Sequence, residues 1–445
     1  MRDLSIWNLV LTPIYFLVIM VIAKLYANRM IKKDQVYEYF TRGLLVKLIG
    51  SFVFCMVYSF YYDGGDTGGY FHSARCVANL FSKDFSVAFS ILTNHLTMEN
   101  HHYFDFTTGM PHWYMYKDET TFATARFTIP FTFLGAKTFI PTSLLVATVS
   151  YMGIWKLFKL FTGLYPKYTK LLSYSILFIP SFVFWGSGIM KDTFIVGATC
   201  WATYNFHKIF IQRDQLLWNS IMFFANFWVI ITLKPYVASA LLVGMLFWIN
   251  SAYLNKIKNQ LLRYITLPFI LILVFGTGIY VFQNISSLLG DYGDFESAIE
   301  KAQVTQQDLL REEQYGSNSY NLGEIDQSIF GLLKKAPMAI FTAIYRPSVI
   351  EVGSVSVLIS VIENTFLLLV SIYILLKTKL KRLSSIIRSN PLIIYSLTFS
   401  LVLAFGVGIA SANFGAMVRY KIPLIPFFFS ALFLIYKLSR EEVSQ

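Results

Sequence analysis

Apolar runs long enough to carry a helix through a bilayer, about 20 residues each, recur along most of this 445-residue chain. With 56% hydrophobic and 14% charged residues, the composition is too apolar for one soluble domain. The expected fold class is therefore an all-α polytopic membrane protein of about eleven transmembrane helices. The runs lie at 5–25, 44–62, 139–160, 172–189, 193–211, 216–233, 236–254, 262–283, 353–376, 391–409 and 422–437. No fixed-period repeat, low-complexity tract or detachable soluble domain interrupts them, so residues 1–445 read as a single transmembrane domain.

Lys and Arg in short loops collect on the cytoplasmic side. Arg29, Lys32, Lys33 and Arg42 follow the first run, and Lys156, Lys159, Lys167 and Lys170 follow the third. Lys256, Lys258 and Arg263, and then Lys377, Lys379, Lys381, Arg382 and Arg388, fall on the same side. This pattern places the N-terminus outside and the C-terminus inside, as in a bacterial-type inner membrane. The net charge of +12 is then largely topogenic and faces anionic membrane lipid, which makes nucleic acid a poor candidate partner. The first run lacks a small-residue cleavage pattern and reads as a retained anchor. Cys55 and Cys200 fall within runs and Cys76 outside them, so no disulfide framework is expected.

Two segments, 63–138 and 284–340, break the alternation of runs and short hairpins, and both fall on the outer face. The first opens Asp63-Gly64-Gly65-Asp66-Thr67-Gly68-Gly69. Apolar residues then recur at helical spacing at Phe71, Ala74, Val77, Ala78, Phe81, Phe85, Ala88, Phe89 and Leu92. That pattern predicts an amphipathic helix lying flat in the headgroup layer. The second segment is acidic, then turns apolar from Ile325 to Ala343, where another surface helix or a short re-entrant piece is expected.

Asp66 stands among glycines that allow a sharp turn and a close approach to a substrate. One reading makes it the N-cap of the following helix in a plain connecting turn. The other makes it a general base that takes a proton from an acceptor hydroxyl, with Asp63 a weaker candidate for the same role. Asp66-Thr67, Tyr70 and Ala74 resemble the pattern in the first outer loop of the GT-C glycosyltransferase superfamily. That superfamily includes the dolichyl-phosphate-mannose protein mannosyltransferases and the bacterial aminoarabinose transferases. Arg419-Tyr420-Lys421-Ile422-Pro423-Leu424-Ile425-Pro426 resembles its late Arg-Tyr-x-x-Pro-x-x-Pro stretch. Pro180-Ser181 with Phe184-Trp185-Gly186-Ser187-Gly188 and Lys191-Asp192 is similar to a segment of bacterial membrane glycosyltransferases. The resemblance implies a GT-C-like arrangement of helices and a catalytic role for Asp66. Thr67 stands where many members carry a second acid.

Five basic residues in short outer hairpins run against the charge rule: Lys191, Lys234, Arg346, Arg419 and Lys421. Pro235 follows Lys234 and Pro347 follows Arg346, and Pro favours a first helical turn. Cations at helix starts are unfavourable unless an anion is present, so Lys191, Lys234, Arg346 and Arg419 are expected to bind a donor phosphate. The plainer alternative has them touching phospholipid headgroups or pairing with Asp192 and Glu351.

Five of the six histidines, His72, His95, His101, His102 and His112, crowd the first outer segment without the spacing of a zinc site, so no metal or other cofactor is expected. Contacts with substrate are expected instead from Tyr70, His72, Trp113, Tyr114, Asp192, Glu351, Tyr420 and Lys421. Glu363 with Asn364, inside an apolar run, is costly there and keeps a transport role open.

The leading expectation is a membrane glycosyltransferase. It would take a sugar from a polyprenyl phosphate or diphosphate at the outer face and pass it to a glycan, glycolipid or protein hydroxyl. A polysaccharide polymerase or ligase, or a lipid-linked glycan transporter or flippase, is the alternative.

Overall fold

The structure, a computed structural model, describes residues 4–254, 329–351 and 355–441, together with 300, 303–307, 309 and 320. Among the described residues the regular elements are helical and no strand forms. Inside a bilayer a helix satisfies its own backbone N–H and C=O groups, so apolar runs of this length have little alternative. Among the described residues eight helices are long and apolar enough to cross a membrane, which makes this a multi-pass membrane protein.

In chain order the helices are α1 Ile6–Ile31, α2 Glu38–Phe60, α3 Gly65–Lys83, α4 Phe85–Thr93, α5 Glu119–Leu134 and α6 Phe139–Leu164. Then come α7 Thr169–Ile176, α8 Pro180–Trp185, α9 Lys191–Phe206, α10 Leu216–Leu233 and α11 Pro235–Leu254. After the described part resumes, α12 is Ile329–Tyr345, α13 Val355–Lys377, α14 Leu380–Ser389, α15 Pro391–Ala410, α16 Phe414–Tyr420 and α17 Ile425–Glu441. The eight long apolar helices are α1, α2, α6, α10, α11, α13, α15 and α17.

The expected run 172–189 is not one helix. Ile179 sits extended before Pro180, whose ring and missing N–H end the preceding turn, so α7 and α8 are separate short pieces. The run at 193–211 is α9 continued by a π-helical turn, His207–Gln212. The run at 262–283 and most of the second outer segment lie outside the described residues. The apolar stretch expected at its far end is helical as α12.

The single flat helix expected over 71–92 is also two helices. Asp84 ends α3 and caps α4, accepting from the Val87 backbone N–H at 3.0 Å. The apolar face of α3 meets protein. It packs against α5 and α4, and Thr67, Gly68, Gly69, Tyr70, Phe71, Ser73, Ala74, Cys76, Val77 and Ala78 are all buried. Exposed aromatic surface is left on α4, where the Phe85 and Phe89 rings stack.

The chain forms two compact units, 1–204 with 224–234, and 205–223 with 235–445. In the first, α2 packs on α6 and α1 packs on both. Gly43 admits the Tyr151 hydroxyl, which donates to the Phe40 carbonyl at 2.7 Å. Asn8 of α1 accepts from the Ile140 N–H at 2.9 Å and so satisfies one donor at the start of α6. Gly153 of α6 and Gly197 of α9 bring two backbones together, the close approach small residues allow between helices in lipid. In the second unit α15 packs against α11, α12 and α17. Trp248 stacks on Tyr395, which meets Phe427 edge-on.

Candidate functional site

The turn from α2 to α3 explains the glycines around Asp66. Asp63, Gly64 and Gly65 all have positive φ, at 49°, 100° and 48°, and Gly64 donates its N–H to the Tyr58 carbonyl at 2.7 Å. Gly64 is the N-cap, so Asp66 is not the cap. It lies exposed in the first turn of α3, where the helix dipole favours a carboxylate. One turn on, Gly69 has no Cβ because the Tyr114 hydroxyl occupies that space; a Cβ there would lie 2.2 Å from Oη. Tyr114 belongs to the short 3-10 turn Trp113–Tyr116, and its phenol is held above the ordinary range by burial and by the charge of Asp66.

That turn leads into Asp118, the N-cap of α5, whose carboxylate accepts from the backbone N–H of Thr120 at 2.9 Å and of Thr121 at 3.3 Å. The hydroxyls of Thr120 and Thr121 donate to the same carboxylate at 2.8 and 2.5 Å. Lys191, the first residue of α9, donates in turn to those two hydroxyls at 3.1 and 3.2 Å. A hydrogen-bonded series therefore runs from the ammonium through the threonines to Asp118. Burial would raise the Asp118 pKa, but Lys191 and the threonine donors outweigh it and hold it low. Lys191 is half-buried, and its pKa falls to about 8. Desolvation lowers it most, Lys234 lowers it further, and Asp118, Asp66 and Asp192 pull against both.

Beside it, Asp192 pairs with Lys234 through its Oδ1, and both side chains are buried. The first unit thus gathers Asp66, Tyr114, Asp118, Lys191, Asp192 and Lys234 around the starts of α3, α5 and α9. Of the other residues expected to touch substrate here, Tyr70 is buried, Asp63 and Trp113 are exposed, and Lys117 lies 4.0 Å over the Trp113 ring. His72 Nε2 lies 2.9 Å from the Met110 carbonyl and 3.6 Å from Cys76 Sγ. Its ring also contacts His112. Among the described residues no group of three His, Cys, Asp or Glu side chains could hold a metal ion.

The second unit has its own polar group. Arg346 pairs with Glu351, and its guanidinium lies 5.5 and 5.1 Å from the ring centres of Tyr320 and Phe414. Burial alone would raise the Glu351 pKa, but Arg346 and the N–H and hydroxyl of Ser348 bring it down to about 2. Lys421 is buried and donates to the carbonyls of Ile344 and Arg346 and to Asn364 Oδ1. Asn364 also donates to the Pro347 carbonyl at 3.2 Å. Arg419 and Tyr420 are half-buried at the end of α16.

Two of the four cations expected at helix starts stand there. Lys191 opens α9, and Lys234 stands just before Pro235, the first residue of α11. Arg346 instead follows the last residue of α12, and Pro347 opens no helix. Arg419 lies in the last turn of α16, an end that favours a cation with no anion required. Lys421, expected to meet substrate, has its three donors committed inside the protein.

Two residues here escaped sequence reasoning. Asp118 with Thr120 and Thr121 carries an N-cap signature, which a reading of the segment as a loop overlooked. Lys47, in the middle of α2, is buried, donates to the Gly186 carbonyl and lies 5.6 Å over the Phe182 ring. Its partner comes from the Trp-Gly-Ser-Gly segment, and no local pattern announces that pairing. Comparison of the chain with family models, curated proteins and solved structures finds no match.

Proposed function

We propose that this chain is an integral-membrane glycosyltransferase of GT-C type with about eleven spans. In this reading it works at the outer face of a bacterial-type inner membrane, N-terminus outside and C-terminus inside. The donor is a sugar on a polyprenyl phosphate or diphosphate, and the acceptor is a hydroxyl of a glycan, glycolipid or protein. The observation that carries the proposal is the meeting of an exposed carboxylate, Asp66, with a half-buried ammonium, Lys191, each at the start of its helix and each within range of the other's charge.

Asp118 is the N-cap of α5 and is engaged by four donors, so it is read as structural, while Asp66, exposed in the first turn of α3, is assigned the base role. Asp66 takes the proton as the acceptor oxygen bonds to the anomeric carbon. The bond from that carbon to the phosphate oxygen breaks, and the phosphate leaves with the electron pair. Lys191 and the first N–H groups of α9 receive the charge that develops on it. The buried pair Asp192–Lys234 holds the first turn of α9 in place for that task. Arg346 with Glu351, and Lys421 with Asn364, are read as internal ties of the second unit.

Binding tests the donor half. In reconstituted full-length protein, polyprenyl phosphate should bind and Lys191→Gln should weaken it about tenfold or more, the scale of one charge-assisted contact. Equal affinity would remove Lys191 from the site.

One observation favours a transporter instead: Lys47 sits buried against the broken α7–α8 segment, and interrupted helices with exposed carbonyls are a transporter device. Movement of a lipid-linked glycan across vesicles, without transfer of its sugar, would select that reading.

A further inference from the structure

The geometry points to a binding surface for anionic phospholipid on α14, built from residues other than those assigned to sugar transfer. From Asn364 to Arg440 the chain contains no Asp or Glu, yet Lys377, Lys379, Lys381, Arg382 and Arg388 fall within that stretch. Lys377, Lys379, Lys381 and Arg388 are all exposed. Among the described residues none of these four forms an ion pair with a carboxylate.

The helix separates its charges from its apolar side chains. Lys381, Ser385 and Arg388 recur at i, i+4 and i+7 and are exposed, so they form one stripe. Ile386 is buried, Leu383 and Ile387 are half-buried, and α14 packs on α15 and α17. α14 also joins two of the long apolar helices, α13 and α15, which puts it at a membrane boundary. Leu375, Leu376 and Leu380 are exposed right beside the cations, at 56%, 79% and 75%. Exposed leucines adjoining basic residues in sequence at the end of a long apolar helix are what a basic amphipathic helix presents to a bilayer edge.

The occupant is therefore the membrane's own anionic lipid, whose phosphate meets Lys379, Lys381 and Arg388 while its chains lie along Leu376 and Leu380. Charge counting in loops explains which way such a segment inserts. It does not require the cations to share one helical stripe or to adjoin exposed leucines.

The three cysteines are buried, so a fluorophore can be attached at Ser385→Cys in the full-length protein. The labelled protein is placed in bilayers containing brominated phosphatidylglycerol or brominated phosphatidylcholine. Quenching should give a relative affinity at least about fivefold in favour of phosphatidylglycerol, the scale of one cation near an anionic surface. The preference should shrink in high salt and vanish in Lys379→Gln/Lys381→Gln/Arg388→Gln, while Lys379→Arg/Lys381→Arg retains it. Equal quenching by the two lipids, or a preference that survives the triple glutamine variant with native helicity, would overturn the assignment.

Discussion

Asp192 and Lys234 form an ion pair whose side chains are 3% and 7% exposed, joining the first turn of α9 to the residue before Pro235. A pair so thoroughly desolvated is worth little in itself, but each charge becomes very costly without the other.

Asp192→Ala should therefore destabilise the protein by about 3–5 kcal/mol, because it strands the Lys234 ammonium. Asp192→Leu combined with Lys234→Met should recover most of that loss. Thermal unfolding in detergent, followed by circular dichroism, compares the single and double variants.

The crossing of α6 and α9 makes a second, independent demand. A Cβ on Gly153 would lie 2.0 Å from the Gly197 carbonyl oxygen, a backbone atom that cannot swing aside. Gly153→Ala should cost about 1–3 kcal/mol as the helices are forced apart. Gly163→Ala, where among the described residues an added Cβ would meet nothing within 4 Å beyond its own helix, should be neutral or slightly stabilising. The same melting assay separates the two.

The proposed phosphate contact carries its own pH signature. Lys191 holds a phosphate while charged, and its pKa is about 8, lowered chiefly by burial. Donor KM should stay flat below pH 7 and rise as pH passes through 8, with kcat changing less. Lys191→Arg should hold donor KM flat to about pH 10, since a guanidinium keeps its proton throughout that range.

Glu351 gives a stability test in the second unit. Its pKa is 4.5 in an open chain and about 2 here, where the donors from Arg346 and Ser348 outweigh burial. A depressed carboxylate adds stability that is fully present above 4.5 and is lost as pH falls through 2. Glu351→Gln should lower the melting temperature at neutral pH, and the gap from wild type should close as pH falls from 4.5 toward 2.

The membrane helices were legible in the sequence because length and apolarity decide them without reference to neighbours. The expectation failed where a local signal overrode the apolar run, as at Pro180, which divides 172–189, and at Asp84, which divides the helix after Asp66. The polar groups were only half legible. Pairing of Asp192 and of Glu351 was open from their proximity to out-of-place cations, and both pairs form. The series from Lys191 to Asp118 joins residues about seventy positions apart, and Lys47 meets Gly186 across 139. Such contacts depend on how helices stack, which no spacing along the chain records. The position of Arg419 at a helix end rather than a helix start was hidden for the same reason: α16 is seven residues long and carries no strong start signal beyond Asn413.

The central claim is that Asp66 removes a proton from the acceptor while Lys191 holds the departing phosphate. The most direct measurement is single-turnover sugar transfer by wild type and Asp66→Asn in reconstituted membranes, with donor binding measured on the same samples. Transfer by Asp66→Asn should fall by at least about a hundredfold, the contribution of a positioned general base, with donor affinity unchanged. Near-normal transfer by Asp66→Asn would contradict it.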